Sequence, residues 1–290
     1  MDTFHRRALL QSTAGLAGTG LVASLSTAHA WMEDQSGSAF RQSICRWCYG
    51  SIPLNQLAAE AKKIGYASIE LLATPEDVKT VQAAGLTCAV FGRVDIAVGW
   101  NRPANHPRLT EQAKKHIDIA AEFKLPQTIV MAGNRTIKGE TVSDEEGLEN
   151  CVVGLKPVIA YAEAKKVTVV MEGLNSKHDH KDYMYDKTVW GVNLCKKIGS
   201  DRFKLLYDIY HMQIMEGDVV DTLRKYKDYL AHFHTGGVPG RNEIDESQEL
   251  NYSAIMKALR ATGYQGFVGQ EFIPKREPFA SLSQAYRICS

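Results

Sequence analysis

Eight times along the chain a short apolar run is followed by a helical pattern or a loop leading to one, and this alternation limits the available folds more than any single motif does. The runs are Phe40 to Trp47, Ala67 to Leu72, Thr87 to Gly92, Gln127 to Ala132, Val167 to Met171, Phe203 to Asp208, a seventh at Ala231 and an eighth at Phe267. Short, nearly continuous apolar runs mark strands buried on both faces, the pattern of a parallel sheet. Helical spacing follows over Pro53 to Ile64, Thr74 to Ala84, Arg108 to Phe123, Glu145 to Lys165, Thr188 to Ile198, Val219 to Tyr226 and Tyr252 to Ala261, the first two closed by Gly65 and Gly85. Eight strand-then-helix units in roughly 250 residues is the count and size of an α/β fold of the closed (β/α)8 kind, the TIM barrel. No G-x-G-x-x-G follows the first run, which weakens a dinucleotide-binding alternative.

Four of the runs end in polar residues. Phe203 to His211 reads FKLLYDIYH and turns polar at Asp208; Thr168 to Asn175 reads TVVMEGLN and stops at Glu172. Leu230 to Gly237 reads LAHFHTGG, with His232 and His234 facing the same side of a strand, and Gly266 to Pro274 reads GFVGQEFIP and ends in Glu271. A charge at the end of a buried strand is neutralised, hydrogen-bonded or bound to a cation. Taken singly, each is a helix cap or a turn residue; their recurrence at one end of one sheet is a divalent-metal constellation. Carboxylates with one histidine suit Mn²⁺, Mg²⁺ or Co²⁺ better than a cysteine-rich zinc site, with Zn²⁺ also compatible. In a barrel, strand ends are where active sites are built.

The 290 residues are 44% hydrophobic and 23% charged, with a formal net charge of +1, which gives no electrostatic reason to expect nucleic acid or an anionic membrane as partner. The N-terminus reads as a separate object. Arg6 and Arg7 precede a mildly apolar stretch that closes on Ala28-His29-Ala30, the layout of a twin-arginine export signal over residues 1–30. The stretch is too polar for a first membrane helix. The mature, periplasmic chain then begins at Trp31 and forms one barrel domain over 31–290, with no membrane attachment after cleavage. Cys45 and Cys48 form a C-x-x-C inside the first apolar run, where buried or partly buried thiols are expected rather than a redox pair.

MEGLN at Met171 to Asn175, YDIYHMQ at Tyr207 to Gln213, HFHTGGVPGRNE at His232 to Glu243, ELNY at Glu249 to Tyr252 and GYQGFVGQEF at Gly263 to Phe272 resemble the xylose isomerase-like sugar isomerases and epimerases, most closely the hydroxypyruvate isomerase branch. The resemblance implies that Glu172, Asp208, His234 and Glu271 are metal ligands and that Glu172 and Glu271 exchange protons with substrate. Hydroxypyruvate isomerases often carry Gln at the position of His234 whereas ketose epimerases carry His, so both reactions stay open: hydroxypyruvate to tartronate semialdehyde, or epimerisation of a ketose. The expected partner is a small hydroxy-carbonyl compound or sugar, and a homo-oligomer is compatible.

Isomerising such a compound removes a C–H proton, stabilises an enediolate and returns a proton elsewhere, for which a divalent cation and two carboxylates suffice. His211, just past the strand end, reads alone as a loop histidine and with the resemblance as a contact to a substrate oxygen. Arg241, in the Gly240-Arg241-Asn242 turn, is placed to meet developing oxyanion charge. Glu70, at the end of the second run, reads equally as a salt-bridged structural carboxylate and as a substrate contact. His178 and His180 read as surface residues, and Trp47 and Trp100 as cavity wall or core in equal measure. The long segment Arg93 to Pro107 is expected to cover the site. Two rivals are a metal-dependent lyase or dehydratase of a keto-sugar or inosose, and an exported carbohydrate-binding protein without turnover.

Overall fold

The computed structural model describes residues 40–290; the expected leader over residues 1–30 lies outside them. Eight parallel strands follow one another around the barrel: β1 Arg41–Cys45, β2 Ser68–Glu70, β3 Val90–Phe91, β4 Gln127–Val130, β5 Thr168–Glu172, β6 Phe203–Asp208, β7 Leu230–Thr235 and β8 Phe267–Gln270. Neighbours pair in the order β2-β1-β8-β7-β6-β5-β4-β3, and the ring closes where Ser68 bridges Thr87 and Leu72 bridges Phe91. The strands are nearly all buried along their lengths, as their apolar runs require.

Outside the strands lie α1 Leu54–Ile64, α2 Pro75–Ala83, α3 His106–Glu122, α4 Asp144–Lys165, α5 Thr188–Ile198, α6 Ile209–Met215, α7 Val219–Tyr226, α8 Tyr252–Ala261 and α9 Pro278–Cys289. Gly65, at φ 118°, caps α1 with its N–H on the Ala61 carbonyl, so the expected glycine stop is present. Thr74 and Asp77 make a reciprocal capping box at the start of α2.

The structure departs from the sequence expectations in places that matter for the site. β1 ends at Cys45, and Arg46–Tyr49 form a 3-10 turn that takes Trp47 and Cys48 off the strand; Cys45 and Cys48 are both free thiols. β3 is shorter than expected because the Ala89 N–H donates to Ser68 Oγ at 2.8 Å, taking that backbone group out of the ladder. α6 starts directly after Asp208, so His211 is helical, not part of a loop. A small hairpin, Thr136–Ile137 with Glu140–Thr141, stands between β4 and α4.

Candidate active site and metal centre

Register brings the polar strand ends together. Asp208 on β6 pairs with His234 on β7, Glu172 on β5 lies opposite Leu206, and Glu271 follows β8 directly. Each of Glu172, Asp208, His234 and Glu271 offers a ligand atom, and these atoms all lie within 4.8 Å of one another. Asp208 also serves as the N-cap of α6: its Oδ1 accepts the Tyr210 N–H at 2.9 Å, leaving Oδ2 for the cluster.

The donor set fits a divalent cation on two grounds. Three carboxylates and one imidazole are hard to intermediate ligands, the set for such metals. Two atoms are also left over. His234 Nδ1 is 2.7 Å from Glu271 Oε2 and 3.4 Å from Glu172 Oε1, in neither case at hydrogen-bond angles, so it and Glu172 Oε1 are buried polar atoms without a hydrogen bond. A buried polar atom without a partner is costly, and a cation held by both removes that cost.

Crowded acids shift one another. Burial pushes the Asp208 carboxyl up to about 8, with Glu271 and Glu172 adding to the shift against the opposing Arg241. Glu172 is raised by burial and then by Glu271. Burial also acts on Glu271, but Arg241 and then His234 outweigh it and hold its carboxyl well below the usual range. His234 is disfavoured as a cation by burial, yet the acid groups around it, Cys45 and Glu271 foremost, raise it well above an ordinary histidine.

Arg241, at φ 55° and with its side chain 12% exposed, lies over this cluster. Its Nη2 donates to Asp208 Oδ2 at 2.9 Å and to Glu271 Oε2 at 2.5 Å, and its Nη1 meets His211 Nε2 at 3.0 Å. Its guanidinium faces the Trp47 and Tyr210 rings at 5.3 and 5.2 Å. The Trp47 indole N–H donates to Glu271 Oε1 at 2.6 Å, so Glu271 is held from two sides.

Glu70, expected equally as a structural carboxylate and as a substrate contact, stands behind the cluster. It is fully buried and off the cavity, and its Oε1 accepts from His232 Nε2 at 2.8 Å and His234 Nε2 at 2.6 Å. By taking the Nε2 proton of His234 it turns Nδ1 toward the cluster, as an outer-sphere carboxylate does for a metal-ligating histidine. A Cβ on Gly269 would stand 2.7 Å from Glu70 Oε1 and 2.9 Å from His234 Cδ2, so a side chain there would break this fork.

His211 also stands back from the cavity, fully buried between Arg241 and Asn175, whose Nδ2 is 2.6 Å from His211 Nδ1. The α6 geometry returns it toward Asp208, at 3.5 Å, and it does not line the cavity. Burial first and then Arg241 hold it well below an ordinary histidine, so it is neutral.

A cavity of about 330 Å³ opens beside Glu172, Glu271 and Arg241. Arg93, Val94 and Ile96 of the long segment after β3 line it as expected, and so does Trp47. Trp100 belongs instead to the core, 2% exposed. His180, read from sequence as a surface residue, is half-buried on the cavity wall with its ring 5.2 Å from that of His211. Asn175 went unread except as part of MEGLN; its Oδ1 accepts the His178 and Asp179 N–H groups, and this fixes the loop that carries His180.

The family model described as xylose isomerase-like TIM barrel matches residues 58–287. A Drosophila melanogaster protein named putative hydroxypyruvate isomerase is 31% identical over 173 residues, which is 60% of this chain and 64% of that relative, just under two thirds of its length. Among solved structures, an AP endonuclease family 2 protein from Brucella melitensis superimposes with a TM-score of 0.74 at 20% identity, over 84% of this chain and 98% of that one. D-psicose 3-epimerase from Clostridium cellulolyticum H10, solved with D-tagatose, gives 0.70 at 18% identity, over 87% of this chain and all of that one. At those identities the two structures share the fold with this chain.

Proposed function

Because the chain belongs to the xylose isomerase-like TIM barrel family, we propose that it is a metal-dependent isomerase of small α-hydroxy carbonyl compounds that moves a proton between neighbouring carbons with Glu172 and Glu271. The family's isomerases and epimerases set it among enzymes of the isomerase class. The observation that carries the reading is the pair of carboxylates, Glu172 and Glu271, opening onto the cavity from a cluster that leaves His234 Nδ1 and Glu172 Oε1 without hydrogen bonds.

Glu172, Asp208, His234 and Glu271 would hold one Mn²⁺, Mg²⁺ or Co²⁺ ion, with Zn²⁺ compatible, and such an ion, when bound, polarises substrate oxygens and stabilises an enediolate. The chain's own residues supply the rest. Glu172 and Glu271 both open onto the cavity, one taking the C–H proton and the other returning one. Trp47 orients Glu271 through its N–H, and Arg241 faces the oxygen on which negative charge grows. The apolar cavity wall excludes water while the proton is in transit.

Hydroxypyruvate, converted to tartronate semialdehyde, is the first substrate reading, supported by the likeness to hydroxypyruvate isomerases. Epimerisation of a ketose is the second reading, supported by His234 in place of Gln. Proton NMR of candidate compounds in heavy water with the manganese-supplemented protein tests the proposal, since solvent deuterium enters the carbon that loses its proton. Glu172→Gln and Glu271→Gln are each expected to lower exchange by about a hundred to ten thousand-fold. Full exchange in both variants would remove the assignment. We further propose, from Arg6-Arg7 and Ala28-His29-Ala30, that the enzyme works in the periplasm after twin-arginine export.

A further inference from the structure

Turning hydroxypyruvate into tartronate semialdehyde moves two protons, and the two glutamates account for one of them. That one leaves carbon and returns to the neighbouring carbon. The other is the hydroxyl proton, which leaves one oxygen as an aldehyde forms and reaches the adjacent oxygen as the ketone becomes an alcohol. Few groups along the cavity handle this second proton. Arg93 and Arg241 stay charged and only donate, and the Trp47 indole N–H is committed to Glu271. Among the described residues that line the cavity, His180 is the polar side chain that remains. An imidazole both accepts and donates, and neither ring nitrogen of His180 hydrogen-bonds to a described residue. Burial first and then Arg241 hold it below an ordinary histidine, so it stands neutral. His211 differs, because its Nδ1 and Nε2 face Asn175 and Arg241 and it does not line the cavity. The loop also fixes His180 from both sides. Its N–H donates to the Asn175 carbonyl at 3.1 Å, and its own carbonyl accepts the Tyr183 N–H at 3.0 Å. Asp179 beside it is held by the Tyr210 hydroxyl and Asn175 Nδ2, each 2.7 Å from its Oδ2. A half-buried histidine anchored in this way, with its nitrogens unpaired, is preorganised to meet a ligand.

We propose that His180 is a third catalytic residue, which carries the hydroxyl proton from one substrate oxygen to the other while Glu172 and Glu271 move the carbon-bound one. This rests on the isomerase reading and adds to it the oxygen-borne half of the proton transfer. For hydroxypyruvate the step balances without a co-reactant. A C3–H bond breaks, its electron pair forms the C2–C3 double bond, and the carbonyl electrons of C2 move onto oxygen. The proton of the C3 hydroxyl then passes through His180 to the oxygen on C2, the C3 carbonyl forms, and a proton returns at C2. His180 ends as it began. Without that transfer the enediolate goes back only by taking a proton at C3, which exchanges hydrogen with solvent and makes no product. An epimerase takes and returns its proton at one carbon and does not need the transfer.

The test follows hydroxypyruvate in heavy water with the manganese-supplemented protein, proton NMR reading deuterium entry at C3 and formation of tartronate semialdehyde as separate initial rates. In His180→Phe and His180→Gln, product formation is expected to fall by about a hundredfold or more while exchange falls by less than about tenfold. Glutamine keeps a donor and an acceptor without carrying a proton, so it decides the matter should the phenylalanine variant not fold. Exchange and product falling together in His180→Gln, or product formation unchanged, overturns the proposal and leaves the isomerase reading intact. Wild-type protein that exchanges D-fructose and yields its epimer, with no product from hydroxypyruvate, overturns it as well, in favour of an epimerase. Neither exchange nor product from the wild type with either compound removes the isomerase reading and this proposal with it.

Discussion

Glu70 and Asp208 look alike in the sequence, each an acid closing an apolar run, and the structure gives them different tasks. Asp208 reaches the cluster and caps α6, while Glu70 reaches two histidines from β7 and stops there. Glu70→Gln keeps the size and an oxygen for both histidines but removes the negative charge that holds the Nε2 proton of His234. Metal affinity, read by competition with a chelator, is then expected to fall about 10- to 100-fold. Equal affinity in wild type and variant would refute the orienting role. Protonation at the cluster leads to a second expectation. Asp208, pushed up to about 8, and His234, raised well above an ordinary histidine, hold protons at neutral pH that a cation must displace. Affinity therefore rises with pH until Asp208 and His234 have given up those protons, and falls as pH drops. Calorimetry in buffers of different ionisation enthalpy should register proton release on binding at pH 7, and no release would contradict the burial-driven shift.

At the scale of elements, local signals carry as far as the chain's own periodicity does. Gly65 and the Thr74 capping box mark helix ends because caps satisfy backbone groups with residues a few positions away. Thr74→Ala is expected to cost about 1 kcal/mol in urea unfolding with an unchanged slope; a cost near zero would mean the box does not hold α2. Where an element depends on a neighbour across the barrel, periodicity misplaces it. β3 is cut short by Ser68 of β2, and β1 gives way to the turn that delivers Trp47 to Glu271. Neither partner is near in sequence: Trp47 and Glu271 lie at opposite ends of the barrel's chain and meet only because β1 pairs with β8.

For the whole molecule, eight runs of strand length and the sizes of the intervening helices leave few architectures besides the barrel that forms, and the order of strands around it is simply their order in the chain. The proposed export is tested at this scale too. The mature periplasmic form is expected to begin at Trp31 by N-terminal sequencing, and replacing Arg6-Arg7 with Lys-Lys is expected to leave the protein in the cytoplasm; periplasmic protein from the lysine variant would count against the twin-arginine route. The sequence alone determined that this chain makes a parallel barrel with Glu172, Asp208, His234 and Glu271 at the ends of consecutive strands, because burial on both faces and the alternation of elements are written locally. Only the tertiary structure decided which acids share a centre and which stand behind it. It also set His180 and a wall of aliphatic side chains on the cavity, because those relations depend on register and on contacts across the barrel between residues far apart in the chain.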